Sequence, residues 1–296
     1  MRKAKVFISC GQRVGEKEIG LKIANYLRKQ RFEPYFAEEV QTPEALTQNI
    51  FEALKGAEYF IAINFQRRGC NVGSIFIQQE FAIAAFLGVP MLVFYKGKIK
   101  LDGVSKYLIL KSIAIDAYPD IVRYLRKEIK KWNPNSIHQL QLTCGNFHSN
   151  IAMLGQPGNP LSNWLHIVVQ NLSDTLYCKN CYAYIDSIIE LPTNRQIISS
   201  GDYRAELIWA GLGDVTLNIP QGVKRDFDML FWIQGDSVIR FHQKTTSTVY
   251  GYQPLYFGKY KITYGVISDN FPLAKIEVEI DFTSTGINVI NSQQIL

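Results

Sequence analysis

Residues 59–95 decide the fold. They read YFIAINF (59–65), then GSIFIQQEFAIAAFLG (73–88), then PMLVFY (90–95). The outer two are short continuous apolar runs, the pattern of strands buried on both faces. The middle segment is too long for a strand, and Ser74 stands where a helix N-cap belongs. Strand, helix and strand in close succession predict a parallel pair joined by a helical crossover.

The same grammar extends outward. Lys5 to Cys10 (KVFISC) is another buried-strand run, followed by a Gly/Gln/Arg loop from Gly11 to Gly15. Ile19, Ile23, Tyr26 and Leu27 then fall at helical spacing, and Glu33 to Ala37 reads as a second strand. Thr42-Pro43-Glu44 is a helix start, with Leu46, Ile50 and Leu54 as its buried side and Gly56 as its end. After Tyr95, Ser112 to Asp116 forms a fifth strand, and Ile121, Leu125, Ile129 and Trp132 mark a last amphipathic helix. This alternation predicts an α/β class: a flavodoxin-like, five-stranded parallel sheet in the order 2-1-3-4-5, covered on both faces. Such sheets bind ligands beyond the carboxyl ends of their strands. Residues 10–13, 38–42 and 66–74 belong at that rim.

The grammar changes near Asn133-Pro134-Asn135-Ser136. Short alternating runs follow, among them Leu165 to Gln170, Cys181 to Ile188, Met229 to Ile233 and Lys275 to Phe282, separated by Gly, Asn, Asp, Ser and Pro. Seven or eight such strands predict an antiparallel, immunoglobulin-like sandwich. The expected organisation is an α/β domain at 1–135, an irregular linker at 136–160 and an all-β domain at 161–296.

Composition narrows the class. The chain has 296 residues, 47% of them hydrophobic, enough for two cores. It lacks both an 18-residue apolar run and the apolar core of a signal peptide at Met1-Arg2-Lys3-Ala4-Lys5, so no membrane partner and a cytoplasmic location are expected. Five cysteines fit free thiols in a reducing compartment. Residues 1–135 hold 22 Lys/Arg against 13 Asp/Glu, and the remainder 10 against 13. A basic first half suits a phosphate-rich ligand or simply a solvated surface.

One residue breaks the pattern. Glu80 lies in the apolar helix, six residues after Ser74, and at 100° per residue it points nearly opposite Gln78. A carboxylate there is either paired or placed for use. Arg67, Arg68 or a backbone amide would serve as a structural partner.

The first half resembles the TIR (Toll/interleukin-1 receptor) domain. The resemblance rests on Val6-Phe7-Ile8-Ser9-Cys10, on Ile50 to Ile63 (IFEALKGAEYFIAI), and on Ser74 to Glu80, similar to the family's S-x-W-C-x-x-E with Phe76 and Ile77 at the Trp and Cys positions. It covers about residues 4–132. It implies an NAD glycohydrolase that cleaves the nicotinamide–ribose bond with Glu80 as catalytic residue. NAD, or a related nucleotide, is then the substrate, with no separate cofactor and no metal. Ser9, Cys10, Gly11, Gln12, Arg13, Glu38, Ser74 and Phe76 become candidate substrate-binding residues. Self-association, a role in defence by NAD depletion, and an unknown ligand or protein for the sandwich are further implications. The chemistry is coherent: a carboxylate stabilises or attacks the oxocarbenium-like ribose, and cationic nicotinamide leaves without a strong acid. Phe76, Ile77 and Ile83 are expected as low-polarity walls. The Pro-Gly usual after the second strand is replaced by Val40-Gln41-Thr42-Pro43, which departs from the family's assembly loop.

The chain also resembles nucleoside 2-deoxyribosyltransferases, whose glutamate follows a D-x-G loop. Asn71-Val72-Gly73 is similar to that loop, with Asn for Asp and a longer gap to the glutamate. Both resemblances imply a glutamate acting on an N-glycosidic bond. A non-catalytic TIR adaptor is the competing class.

Other motifs are weak. Cys178-Lys179-Asn180-Cys181 is a single CxxC; Cys144 and His148 would have to complete a zinc set, and strand cysteines on alternate faces account for the pair equally well. Gly11 to Gly15 has no Gly-Lys-Ser/Thr and is not a P-loop.

Overall fold

A computed structural model describes residues 3–36, 50–67, 73–99, 112–114, 118–153, 158–199, 206–244 and 252–295. The chain divides into two compact units, Met1–His138 and Gln139–Leu296.

The first unit contains β1 (Lys5–Cys10), α1 (Glu16–Lys29), β2 (Glu33–Phe36), helix α2 (described from 50 to 55), β3 (Tyr59–Phe65), α3 (Ile75–Leu87), β4 (Met91–Lys96), β5 (Ser112–Ala114) and α4 (Tyr118–Ile129). The strands are parallel, in the order β2-β1-β3-β4-β5. Alternation along each strand sorts side chains to two faces. Val6, Ile8, Cys10, Ile61, Ile63 and Phe94 pack with α1 and α4. Phe7, Phe60, Ala62 and Val93 pack with Leu54 of α2 and with Ile77, Phe81, Ala84 and Leu87 of α3. The spacing of those four α3 residues is the helical stripe that docks it. Gly88, at φ 77°, ends α3 in the left-handed conformation that glycine adopts without a Cβ penalty.

The second unit contains β6 (Leu140–Ala152), β7 (Leu161–Asn171), β8 (Cys178–Leu191), β9 (Arg195–Ile198), β10 (Glu206–Leu207), β11 (Leu217–Ile219), β12 (Lys224–Ile233), β13 (Val238–Arg240), β14 (Leu255–Tyr256), β15 (Gly258–Ile267), β16 (Ala274–Thr283) and β17 (Gly286–Ile295). A five-stranded sheet, β14-β13-β12-β7-β6, shares one core with a seven-stranded sheet. The latter runs β10-β8-β15-β16-β17, with β9 and β11 also on β8. Trp209, Phe227, Tyr264 and Phe282 are fully buried there.

Three expectations are corrected. The chain is not of α/β class: among the described residues seventeen strands and three sheets dominate four helical segments, so it is mostly β. The pairing of a flavodoxin-like (TIR-like) α/β fold with an immunoglobulin-like domain is therefore set aside. Among the described residues the second half has twelve strands in sheets of seven and five, several of them ten to fourteen residues long, not seven or eight short ones. Finally, residues 140–152, expected within a linker, form β6. Only Leu140 and Leu142 of that strand are core residues, which hides it in the sequence.

The CxxC reading also changes. Asn180 sits at φ 49°, and this left-handed residue lets Cys178 and Cys181 both turn into the core, with their sulfurs 2.9 Å apart. Among the described residues, no group of three or more His, Cys, Asp or Glu is arranged to hold a metal ion. No described helix is long and apolar enough to cross a membrane.

Candidate active site

The carboxyl edge of the parallel sheet brings Ser9, Tyr35 and Asn64 onto the face that carries α3. Ser9 follows Phe7 on the same face of β1, and Phe7 lies beside Tyr35 in register and stacks on it with ring centres 5.2 Å apart. Asn64 follows Ala62 on the same face of β3 and is buried.

Glu80 of α3 meets this edge. The Ser9 hydroxyl donates to Glu80 Oε2 at 2.5 Å. Burial raises the pKa of the half-buried carboxyl above the usual range, and the Ser9 hydrogen bond opposes that rise only in part. Among the described residues no cation pairs with Glu80. Arg67, expected as a structural partner, instead bonds Glu16 at 2.5 Å. Arg68 lies outside the described residues. Tyr35 lies within electrostatic reach: its phenol pKa is raised by burial and further by the Glu80 charge.

The start of α3 is pinned from β3. Ser74 occupies the N-cap, but its side chain makes no capping bond. Its backbone N–H donates instead to Asn64 Oδ1 at 2.9 Å, so a side-chain acceptor on the strand satisfies one of the helix's open donors. Gly73 makes room for this contact, since a Cβ there would lie 1.9 Å from Asn64 Oδ1.

The remaining candidates disperse. Cys10 points to the opposite face, where its thiol donates to the Glu16 carbonyl at 3.2 Å and burial drives its pKa to about 12. A Cβ on Gly11 would collide with the Glu16 carboxylate, so this glycine accommodates the Arg67–Glu16 pair. Gln12 Nε2 donates to the Cys10 carbonyl at 3.5 Å. Arg13 is exposed, and its carbonyl accepts from Glu16 and Lys17 at the start of α1. A cleft of about 440 Å³ opens on this side, bordered by Gly15, Glu16, Gln66 and Lys96. Phe76 is 69% exposed and forms no buried wall, whereas Ile77 is buried and Ile83 half-buried. Glu38 lies outside the described residues.

The strands therefore bring Ser9 to Glu80 and separate Cys10 from it, because adjacent strand residues face opposite ways. Tyr35 and Asn64 were not anticipated. A polar Asn64 inside YFIAINF was the one available signal.

No family model matches this chain, and no curated protein matches it. Solved structures offer distant similarities. A CMP N-glycosidase from Clostridium botulinum is 18% identical over 42% of this chain and 98% of that one, with a TM-score of 0.36. A 2-desoxiribosyltransferase from Leishmania mexicana is 13% identical over 42% and 97%, at 0.33. A β-glucosidase from Erythrobacter marinus is 11% identical over 93% and 46%, at 0.29. At these scores the likenesses assign neither a family nor an activity.

Proposed function

We propose that the first unit is an enzyme that breaks an N-glycosidic bond in a nucleoside or nucleotide, with Glu80 as the catalytic carboxylate. One observation carries this reading: a half-buried carboxylate without a cation partner among the described residues, held by a hydroxyl at the carboxyl edge of a parallel sheet. The bond from C1′ to the base nitrogen breaks with its electron pair leaving on the base. Glu80 faces the resulting oxocarbenium-like carbon, stabilising its charge or bonding to it, and water or a second base then takes up the ribosyl group. Ser9 fixes Oε2 and leaves Oε1 for the reacting carbon. Tyr35, whose phenol stays protonated, supplies a hydrogen bond to the sugar or the departing base.

NAD is the second reading. Glu80 is the only carboxylate in the described Ser9–Tyr35–Asn64 cluster, which favours a leaving group that is already cationic. Incubating the full chain with NAD, nucleoside monophosphates and deoxynucleosides, and following released base by chromatography, tests both. Nicotinamide release selects NAD. Release of a purine or pyrimidine selects the first reading, and incorporation of an added base marks it as a transferase. Activity that survives Glu80→Gln, or no release from any substrate, overturns the assignment.

A further inference from the structure

Three of the four histidines gather on the outer face of the second unit's five-stranded sheet. Leu165, Ile167 and Phe227 turn inward to the core, so Trp164, His166 and Asp228 turn outward. Asp228 lies opposite His166 in the β12–β7 register, and His148 lies opposite Trp164 in the β6–β7 register. Asp228 Oδ1 is 2.9 Å from His166 Nδ1, and Oδ2 is 2.5 Å from His242 Nδ1. The rings of His148 and His166 meet edge to face, 4.8 Å apart. Trp164 is fixed in place: it stacks on Phe231 at 4.6 Å, and its indole N–H donates to Ser162 Oγ at 2.8 Å. A cleft of about 310 Å³ opens over this cluster, lined by His148, Ile151, Trp164, His166, Gly211 and Asp228.

This arrangement selects a kind of ligand. Asp228 and His166 are almost completely buried; Asp228 is hydrogen-bonded by His242, whereas His166 Nδ1 has no hydrogen-bond partner among the described residues. His166 Nδ1 lies close to the Asp228 carboxylate but makes no aligned hydrogen bond there, and the more exposed His148 can donate or accept. A carboxylate at the floor disfavours anions. Among the described residues no three ligating side chains converge on a metal position. Ile151 and Trp164 supply an apolar wall. We infer that this cleft binds a neutral sugar ring, whose hydroxyls exchange hydrogen bonds with the His166 and His148 rings while its C–H face covers Ile151 and Trp164. The volume lies at the lower end of small-molecule sites and suits one ring. The site does not depend on the reaction assigned to Glu80.

Saturation-transfer NMR and calorimetry on the full chain, with ribose, glucose and galactose as probes, test the inference. Saturable binding of at least one sugar is expected. His148→Ala, at an exposed position that leaves the core intact, should weaken it about tenfold, and Asp228→Asn should weaken it as well. Glu80→Gln should leave it unchanged, which separates this site from the proposed reaction. Ribose binding without hexose binding traces the ligand to ribosyl compounds, and the reverse to hexose glycans. No binding of any sugar overturns the inference. So does binding that is indifferent to His148→Ala, or binding of only inorganic phosphate or zinc.

Discussion

Glu80 of the first unit and Asp228 of the second have opposite surroundings. Glu80 has one hydroxyl donor, no cation partner among the described residues, and a pKa raised by burial. For Asp228 burial also works against the charge, but His166 and His242 outweigh it and hold the carboxyl below the usual range. The first charge is left available at a cost to the fold, whereas the second is satisfied by its neighbours. Burial alone therefore does not mark a catalytic acid; the count and kind of donors around it does.

The contrast can be broken most severely at Glu80. Glu80→Gln should reduce base release about a thousandfold or more while leaving far-ultraviolet circular dichroism unchanged. Asp228→Asn should instead destabilise the second unit by about 1–3 kcal/mol in urea unfolding, because the amide offers one acceptor oxygen and no charge where the carboxylate faces an imidazole with each of its oxygens. Its pH signature follows from a lowered folded pKa. The stabilisation is present above the unfolded carboxylate's pKa and is lost as pH falls through the folded one, so the variant should show less acid sensitivity than the parent. Ser9→Ala should slow base release about tenfold. Because that hydrogen bond lowers the Glu80 pKa, its loss should also move the acid limb of the pH–rate profile upward. The smallest effect is on stability at Glu80. A folded pKa raised above the unfolded one stabilises fully below the unfolded value, and this is lost as pH rises through the folded value. Glu80→Gln should accordingly raise the thermal midpoint at neutral pH and not at strongly acid pH.

The sequence made some of this legible. Continuous apolar runs such as YFIAINF are strands, and Glu80 stood out because one charge interrupts an apolar helix. What stayed hidden depends on which strands lie side by side. Tyr35 joins Glu80 only through its place beside Phe7 in the β1–β2 register, and Asp228 joins His166 only through the β12–β7 register. The TIR resemblance groups Cys10 with Ser9, although strand geometry sends adjacent side chains to opposite faces. β6 escaped notice because most of its side chains are exposed and its alternation carries little contrast. The balance of strand over helix is hidden for the same reason: the long, partly polar strands of the second unit show in the sequence only as shorter apolar runs.

The clamp between Asn64 and the start of α3 bears on how this protein can diverge. Since a strand side chain sets where α3 begins, and Gly73 leaves that acceptor its space, the position of Glu80 is indexed to the sheet. The distance from Ser9 to the carboxylate is then set by β3 and Gly73 themselves. Residues elsewhere along this rim can thus change while Glu80 stays in register with the sheet.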